Sequence, residues 1–222
     1  MIPEECSPPV ATTESTYTDI GADTAEGFEI SSRSRVLARQ VIGDCGPEDR
    51  IRQRCSIAVG DFAMAELMRF AHDPVNAGLM ALKAGATIYT DIRMVQMGIQ
   101  KRGHQSEVIC VLDTPVPPDS TGRTRTSVAF EALHDKLNGS VIVIGNAPSA
   151  LLVLCEMIRK GVKPALIIGT PVGFVNAAES KEVLRTLDIP SVSNEGTRGG
   201  TPVAVAAMNE IITIFAEQNH TL

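Results

Sequence analysis

The sequence predicts an α/β fold: a mostly parallel sheet of about five strands, helices on both faces, and a helical N-terminal part. Two patterns predict it. Beyond residue 85, short runs of Val, Ile and Leu recur, and stretches with helical spacing separate most of them. Strands that are apolar at nearly every position belong to a sheet buried on both faces, which is how parallel sheets are built. Ahead of residue 85, the chain reads as helical, with apolar positions that are only loosely periodic over Ile30–Ile42.

Residues 1–27 are biased to Pro, Ser, Thr and Glu and read as a loosely ordered lead-in, with a single domain over 28–222. A helix is expected over Ile30–Ile42, capped by Ser31 or Ser32. A second starts with Pro47 in its first turn and runs to Cys55. After Asp61, the residues Met64, Leu67, Met68 and Phe70 mark a third helical face. Asp73-Pro74 opens a fourth helix that ends at Gly85, with Lys83 in its last turn. Four strands then follow: Ala86–Asp91, Glu107–Leu112, Val141–Gly145 and Ala165–Gly169. A fifth short run is Ile189–Ser193. Helices fill Ile92–Ile99, Ser127–Leu137 and Pro148–Lys160, and another carries Glu179, Ser180 and Lys181 in its early turns. The closing helix, Pro202–Phe215, is apolar enough for deep burial or a subunit contact.

The chain has 222 residues, 44% of them apolar and 21% charged, which suits one globular domain. Its net charge of −6 and the lack of a Lys/Arg block argue against nucleic-acid or membrane-surface partners. Aromatic residues make up 4%, with no Trp, too few for base-stacking platforms. Five scattered cysteines (Cys6, Cys45, Cys55, Cys110 and Cys155) form no CxxC pair and no Cys/His cluster. Such a set reads as reduced thiols in a cytoplasmic protein, with no zinc site. No apolar run has the length of a membrane span, and the N-terminus lacks the basic and apolar stretches of a secretory signal.

In open α/β sheets, ligands bind beyond the carboxyl ends of the strands. Three polar, glycine-bearing clusters fall there. In VIVIGNAPSA, a strand ends at Gly145-Asn146 and Pro148 opens a helix, whose unpaired N–H groups suit an anion or serve a tight turn. In ALIIGTPVGFVNAAESK, Gly169 and Gly173 flank Thr170 and Pro171. In NEGTRGG, Arg198 sits between glycines, well placed for a carboxylate or phosphate. Neither GxGxxG nor GxxxxGK[ST] occurs, so a nucleotide-using enzyme is not indicated.

Together, IGNAPSAL, GTPVGFVNAAESK and the late RGG resemble the signature stretches of precorrin-8X methylmutases, also called precorrin isomerases. So do RFAHDPVNAGLMALKAGATIYTDIRMVQMGI at 69–99, TRTS at 124–127 and the early Ile30 with Arg33-Ser34. The resemblance runs from residue 28 to the end. It implies a cytoplasmic, homodimeric isomerase of cobalamin biosynthesis with sites near the dimer interface. Such an enzyme moves a methyl group from C-11 to C-12 of a corrinoid ring, with no metal or other cofactor. It further implies substrate-binding roles for Arg33, Ser34, Asp91, Arg93, Thr124 and Arg125, beside the candidates Gly145, Asn146, Gly169, Thr170, Gly173 and Arg198 from the strand-end clusters. Several arginines suit a polycarboxylate, since a guanidinium grips a carboxylate bidentately.

One position departs from the pattern. Where the family reads Arg-x-x-His-x-x-Gly-Asp, this chain reads Arg54-Cys55-Ser56-Ile57-Ala58-Val59-Gly60-Asp61. Ile57 stands at the histidine that supplies a proton in the family, so the catalytic residue is unassigned. None of His72, His104, His134 and His220 is an obvious substitute. The departure opens an alternative expectation: a corrinoid- or tetrapyrrole-binding paralogue that does not isomerise its ligand.

Overall fold

The computed structural model describes residues 24–116 and 122–220, without the His220 side chain. The expected lead-in lies outside the described residues, as does Cys6, except for Thr24–Gly27. Those four residues cap and open helix α1 (Ala25–Ile42). Thr24 is the cap, its Oγ1 accepting the Gly27 N–H at 3.1 Å, whereas Ser31 and Ser32 lie inside the helix. Helix α2 (Pro47–Val59) starts on Pro47 as expected and stops at Gly60, which adopts the left-handed φ of 65°.

The next segment corrects the expectation of one helix through Phe70. A short helix α3 (Ala63–Leu67) gives way to strand β1 (Met68–Ala71). Its residues pair antiparallel with strand β6 (Ser191–Asn194), from Met68 opposite Asn194 to Ala71 opposite Ser191. Pairing with a distant strand overrides the local helical spacing, and the Arg52 guanidinium lies 4.6 Å over the Phe70 ring.

The rest alternates. Helix α4 (Pro74–Lys83) leads to β2 (Ile88–Thr90), α5 (Arg93–Gly98), β3 (Val108–Cys110) and a 3₁₀ turn. Helix α6 (Arg125–Leu133), β4 (Val141–Ile144), α7 (Pro148–Arg159), β5 (Leu166–Gly169) and α8 (Ala177–Arg185) follow. Then come β6 and the long α9 (Thr201–His220). The sheet order is β1-β6-β5-β4-β2-β3, parallel throughout except for β1. The sheet therefore has six strands rather than about five, the addition being the edge strand β1.

Strand alternation sorts the core into two layers. Val141 and Val143 of β4 and Leu166 and Ile168 of β5 face one cluster, built with α2, α4, α5 and α9. Ile142, Ile144 and Ile167 face the other, built with α6, α7 and α8. Helix α9 is sunk into the first layer, with Val203, Ala204, Ala207, Met208, Ile211 and Ile212 fully buried. Close approach explains Gly98, where a Cβ would stand 2.7 Å from Val205. Cys55, Cys110 and Cys155 are buried free thiols. Among the described residues, no helix is long and apolar enough to cross a membrane.

Candidate active site

The parallel strands β2, β3, β4, β5 and β6 end on one rim. The order of strands reverses between β2 and β4, so the fold's natural ligand crevice opens there. Asp91, just past β2, fills its base. The residue is fully buried, and its carboxylate accepts the backbone N–H groups of Gly145, Asn146 and Ala147 at 3.3, 2.7 and 2.9 Å. Burial pushes the Asp91 carboxyl above its usual range, against the pull of those N–H groups. The β4–α7 turn thus holds an anion supplied by the protein itself. Gly145 is needed there because a Cβ would meet the Thr201 backbone at 3.0 Å, and the Asn146 side chain is left exposed at the tip.

Thr124 caps α6, accepting the Ser127 N–H at 3.3 Å, and its Oγ1 also meets Ser149 Oγ of α7 at 3.0 Å. Arg125, the first residue of α6, is exposed on the same rim. Arg93 opens α5 and pairs with Asp113 at the surface.

The β5 and β6 ends are stitched together. Thr170 is fully buried, and its carbonyl accepts the Gly200 N–H at 2.7 Å. Gly173 donates its N–H to the Thr197 carbonyl at 3.1 Å. At Gly169, a Cβ would press on Leu184 at 2.7 Å. Arg198 reaches back to Asp61, at 2.6 Å, four residues after Ile57. Beneath them lies Lys181, fully buried, whose ammonium burial pulls down to about 8 with Arg185 adding to the fall.

Around the corner, α1, α2, α5 and α9 enclose a cavity of about 570 Å³. Ser34 and Ile57 line it together, while Arg33 points away into an exposed pair with Glu29 at 2.9 Å. Its charge comes from residues that sequence reasoning missed: Arg35, Arg50 and Arg54 converge on Glu210, which is 1% exposed. Arg50 and Arg54 hold its two oxygens at 2.7 and 3.0 Å. Burial works against the Arg50 charge, but Glu217 and Glu210 overcome it and leave the guanidinium above its usual value. The Arg50/Arg54 spacing was a readable signal for one helix face; Glu210, 156 residues further on, was not. Cys55 beside them is inert, its thiol pushed up to about 12 by burial. Among the described residues, no cluster of His, Cys, Asp and Glu suits a metal ion.

Known proteins share the sequence and the fold of this chain. The family model described as precorrin-8X methylmutase matches residues 29–214. The chain is 35% identical over 206 residues to the cobalt-precorrin-8 methylmutase of Methanocaldococcus jannaschii, covering 87% of this chain and 96% of that one. It is 38% identical over 193 residues to the cobalamin biosynthesis protein CbiHC of Archaeoglobus fulgidus, covering 87% of this chain but only 41% of that longer protein. The solved precorrin-8x methyl mutase of Thermus thermophilus superposes with a TM-score of 0.79 at 36% identity, over 86% of this chain and 97% of that one.

Proposed function

The chain belongs to the precorrin-8X methylmutase family, the intramolecular methyl-transferring isomerases of cobalamin biosynthesis, and we propose that it moves the methyl group of precorrin-8X or its cobalt form from C-11 to C-12. The product is hydrogenobyrinate or cobyrinate. Relatives with methylmutase names give no support to a paralogue that binds without isomerising.

The observation that carries the reading is the cavity shared by Ser34 and Ile57 under three arginines. A flat ring edged with carboxylates needs apolar walls and convergent cations, and this cavity offers both. Ile30, Ile57 and Val205 supply apolar surface, while Arg35, Arg50 and Arg54, three cations around the one Glu210 carboxylate that also lines it, supply charge. The methyl shift is eased by a proton held near a ring nitrogen. Ile57 has none to give, and Asp91 is occupied by three backbone N–H groups. The Ser34 hydroxyl, which donates to the Ile30 carbonyl at 3.0 Å, is a donor that shares the cavity with Ile57. Turning from that carbonyl to a ring nitrogen gives the rearranging system a neutral hydrogen bond in place of an imidazolium.

The reading extends to a cytoplasmic homodimer whose partner helps to cover the cavity. Support comes from α1, where Ile30, Leu37 and Val41 lie on one stripe, all of them exposed. The remaining predicted contacts, Arg93, Arg125, Asn146 and Arg198, line the rim as further carboxylate or amide grips.

The test is to incubate purified protein with precorrin-8X and with cobalt-precorrin-8 while following the visible spectrum. Conversion to the corrin chromophore is expected, and Ser34→Ala slows it. A spectrum that changes only as binding saturates, with no product formed, overturns the proposal.

A further inference from the structure

Among the described residues, Lys181 is the one buried lysine, and no carboxylate pairs with it. Its Nζ donates to the Arg198 carbonyl at 2.6 Å and to Asn194 Oδ1 at 3.3 Å. Asn194 Nδ2 donates to the same Arg198 carbonyl at 2.7 Å and to the Glu195 carbonyl at 3.0 Å. A buried ammonium served only by neutral oxygens is an expensive way to hold a helix to a sheet. An apolar side chain would pack α8 more cheaply, so the charge has a use other than packing.

That use lies in what the clamped carbonyl fixes. The peptide after Arg198 leads into Gly199, whose φ is +141° and whose added Cβ would stand 2.3 Å from the Thr170 carbonyl oxygen. Gly200 then donates to that oxygen, and α9 begins at the next residue. Pro202 and Val205, in the first turns of α9, are walls of the Ile57 cavity. In the other direction, the Arg198 guanidinium is tied to Asp61. One carbonyl therefore sets the rim arginine and the entry of a cavity wall together.

We propose that Lys181 is a positioning residue for the methyl shift: with Asn194 it clamps the Arg198 carbonyl and holds the 194–200 loop closed against the end of β5. The assignment rests on the methylmutase reading of this site. The charges around it leave the ammonium without a counter-ion. Arg185 on α8 itself repels it. Glu195 is engaged by Arg69 of β1, and the Arg198 side chain by Asp61. Glu156 and Arg159 of α7 pair with each other, and β5 carries no charged residue. Burial lowers the ammonium to about 8, so the clamp is charged at neutral pH and weakens as pH rises past that value.

The experiment compares wild type with Lys181→Met, which keeps length and apolar volume and removes the donors. Thermal melts are expected to place the variant at or above wild type, because a buried unpaired charge is removed. Its kcat/KM for cobalt-precorrin-8 at pH 7 is expected to fall at least tenfold. The wild-type profile is expected to show an alkaline limb near pH 8 that the variant lacks. Hydrogen exchange of the 195–200 amides is expected to quicken in the variant while the sheet is unchanged. Turnover by wild type with an unaltered variant rate and profile overturns the Lys181 assignment alone. So does an activity loss that only tracks a lowered melting temperature. Absence of turnover by wild type instead overturns the methylmutase reading. The clamp is then decided by exchange, and unaltered 195–200 amides overturn it too.

Discussion

Ile57 presents an apolar side chain to the cavity, one turn ahead of the Asp61 that holds Arg198. Ile57→His places a titratable donor beside Ser34 without crowding α9, since the side chain is 37% exposed. General-acid groups are worth about 10²–10⁴-fold in rate. The expected gain in single-turnover rate with cobalt-precorrin-8 is about 10²-fold, with a new pH limb where the imidazole loses its proton. An unchanged rate would show that the donor acts elsewhere. Lys181 gives a second expectation, with the sign opposite to that of a favourably paired lysine. Its folded value, about 8, lies below the ordinary 10.5, so between these values the unfolded chain binds more protons. Stability contributed through Lys181 therefore rises as pH climbs from about 8 to 10.5. Urea midpoints of wild type and Lys181→Met are expected to converge over that window, the variant being the more stable below it. At this scale, Ser34 and Ile57, which line one cavity, could be singled out because they sit in short motifs. Glu210 was not, because the pairs that join it to α2 span 156 and 160 residues and leave no local mark.

Elements were legible where local pattern and tertiary burial agree. β4 and β5 read correctly because a strand between two helical layers has to be apolar on both faces. β1 did not, since its four residues carry helical spacing and only the antiparallel partner makes them a strand. The first cap was missed because Thr24 lies in a segment whose composition resembles the lead-in before it. The rim itself was legible as glycine and asparagine at strand ends, but its internal anion was not. Asp91 looked like a ligand group, yet it serves three N–H donors from another strand's turn. Asp91→Asn sets an amide donor against those donors, leaving buried N–H groups unpaired at about 1–3 kcal/mol each way. A loss of about 2–3 kcal/mol in chemical denaturation is expected, with corrinoid turnover falling as the β4–α7 turn loosens. A variant as stable as wild type would mean that water replaces the carboxylate.

On the scale of the whole molecule, α1 is the element least explained by the single chain. It has 18 residues, yet Ala38 alone among them is buried. Ile30, Leu37 and Val41, which share one stripe, are between 57% and 61% exposed, too much apolar surface for a helix that ends its role there. Helices in proteins are stabilised mainly by packing of an apolar face, so α1 would gain stability from whatever covers that stripe. A second copy would do so with the least machinery, because a twofold axis lets one patch meet itself. Ile30 and Ser34 also line the Ile57 cavity, so covering the stripe would roof the site as well. The expected species in sedimentation equilibrium at micromolar protein is a dimer of the 23.6 kDa chain. Leu37→Glu puts a charge at the middle of the stripe, and burying it against its symmetry mate would set like charges together. That variant is expected to sediment as a monomer, with helicity near α1 reduced and affinity for the corrinoid lowered at least tenfold. Wild type running as a monomer at these concentrations would separate the site from any partner. Turnover would then have to be accounted for by the open cavity alone.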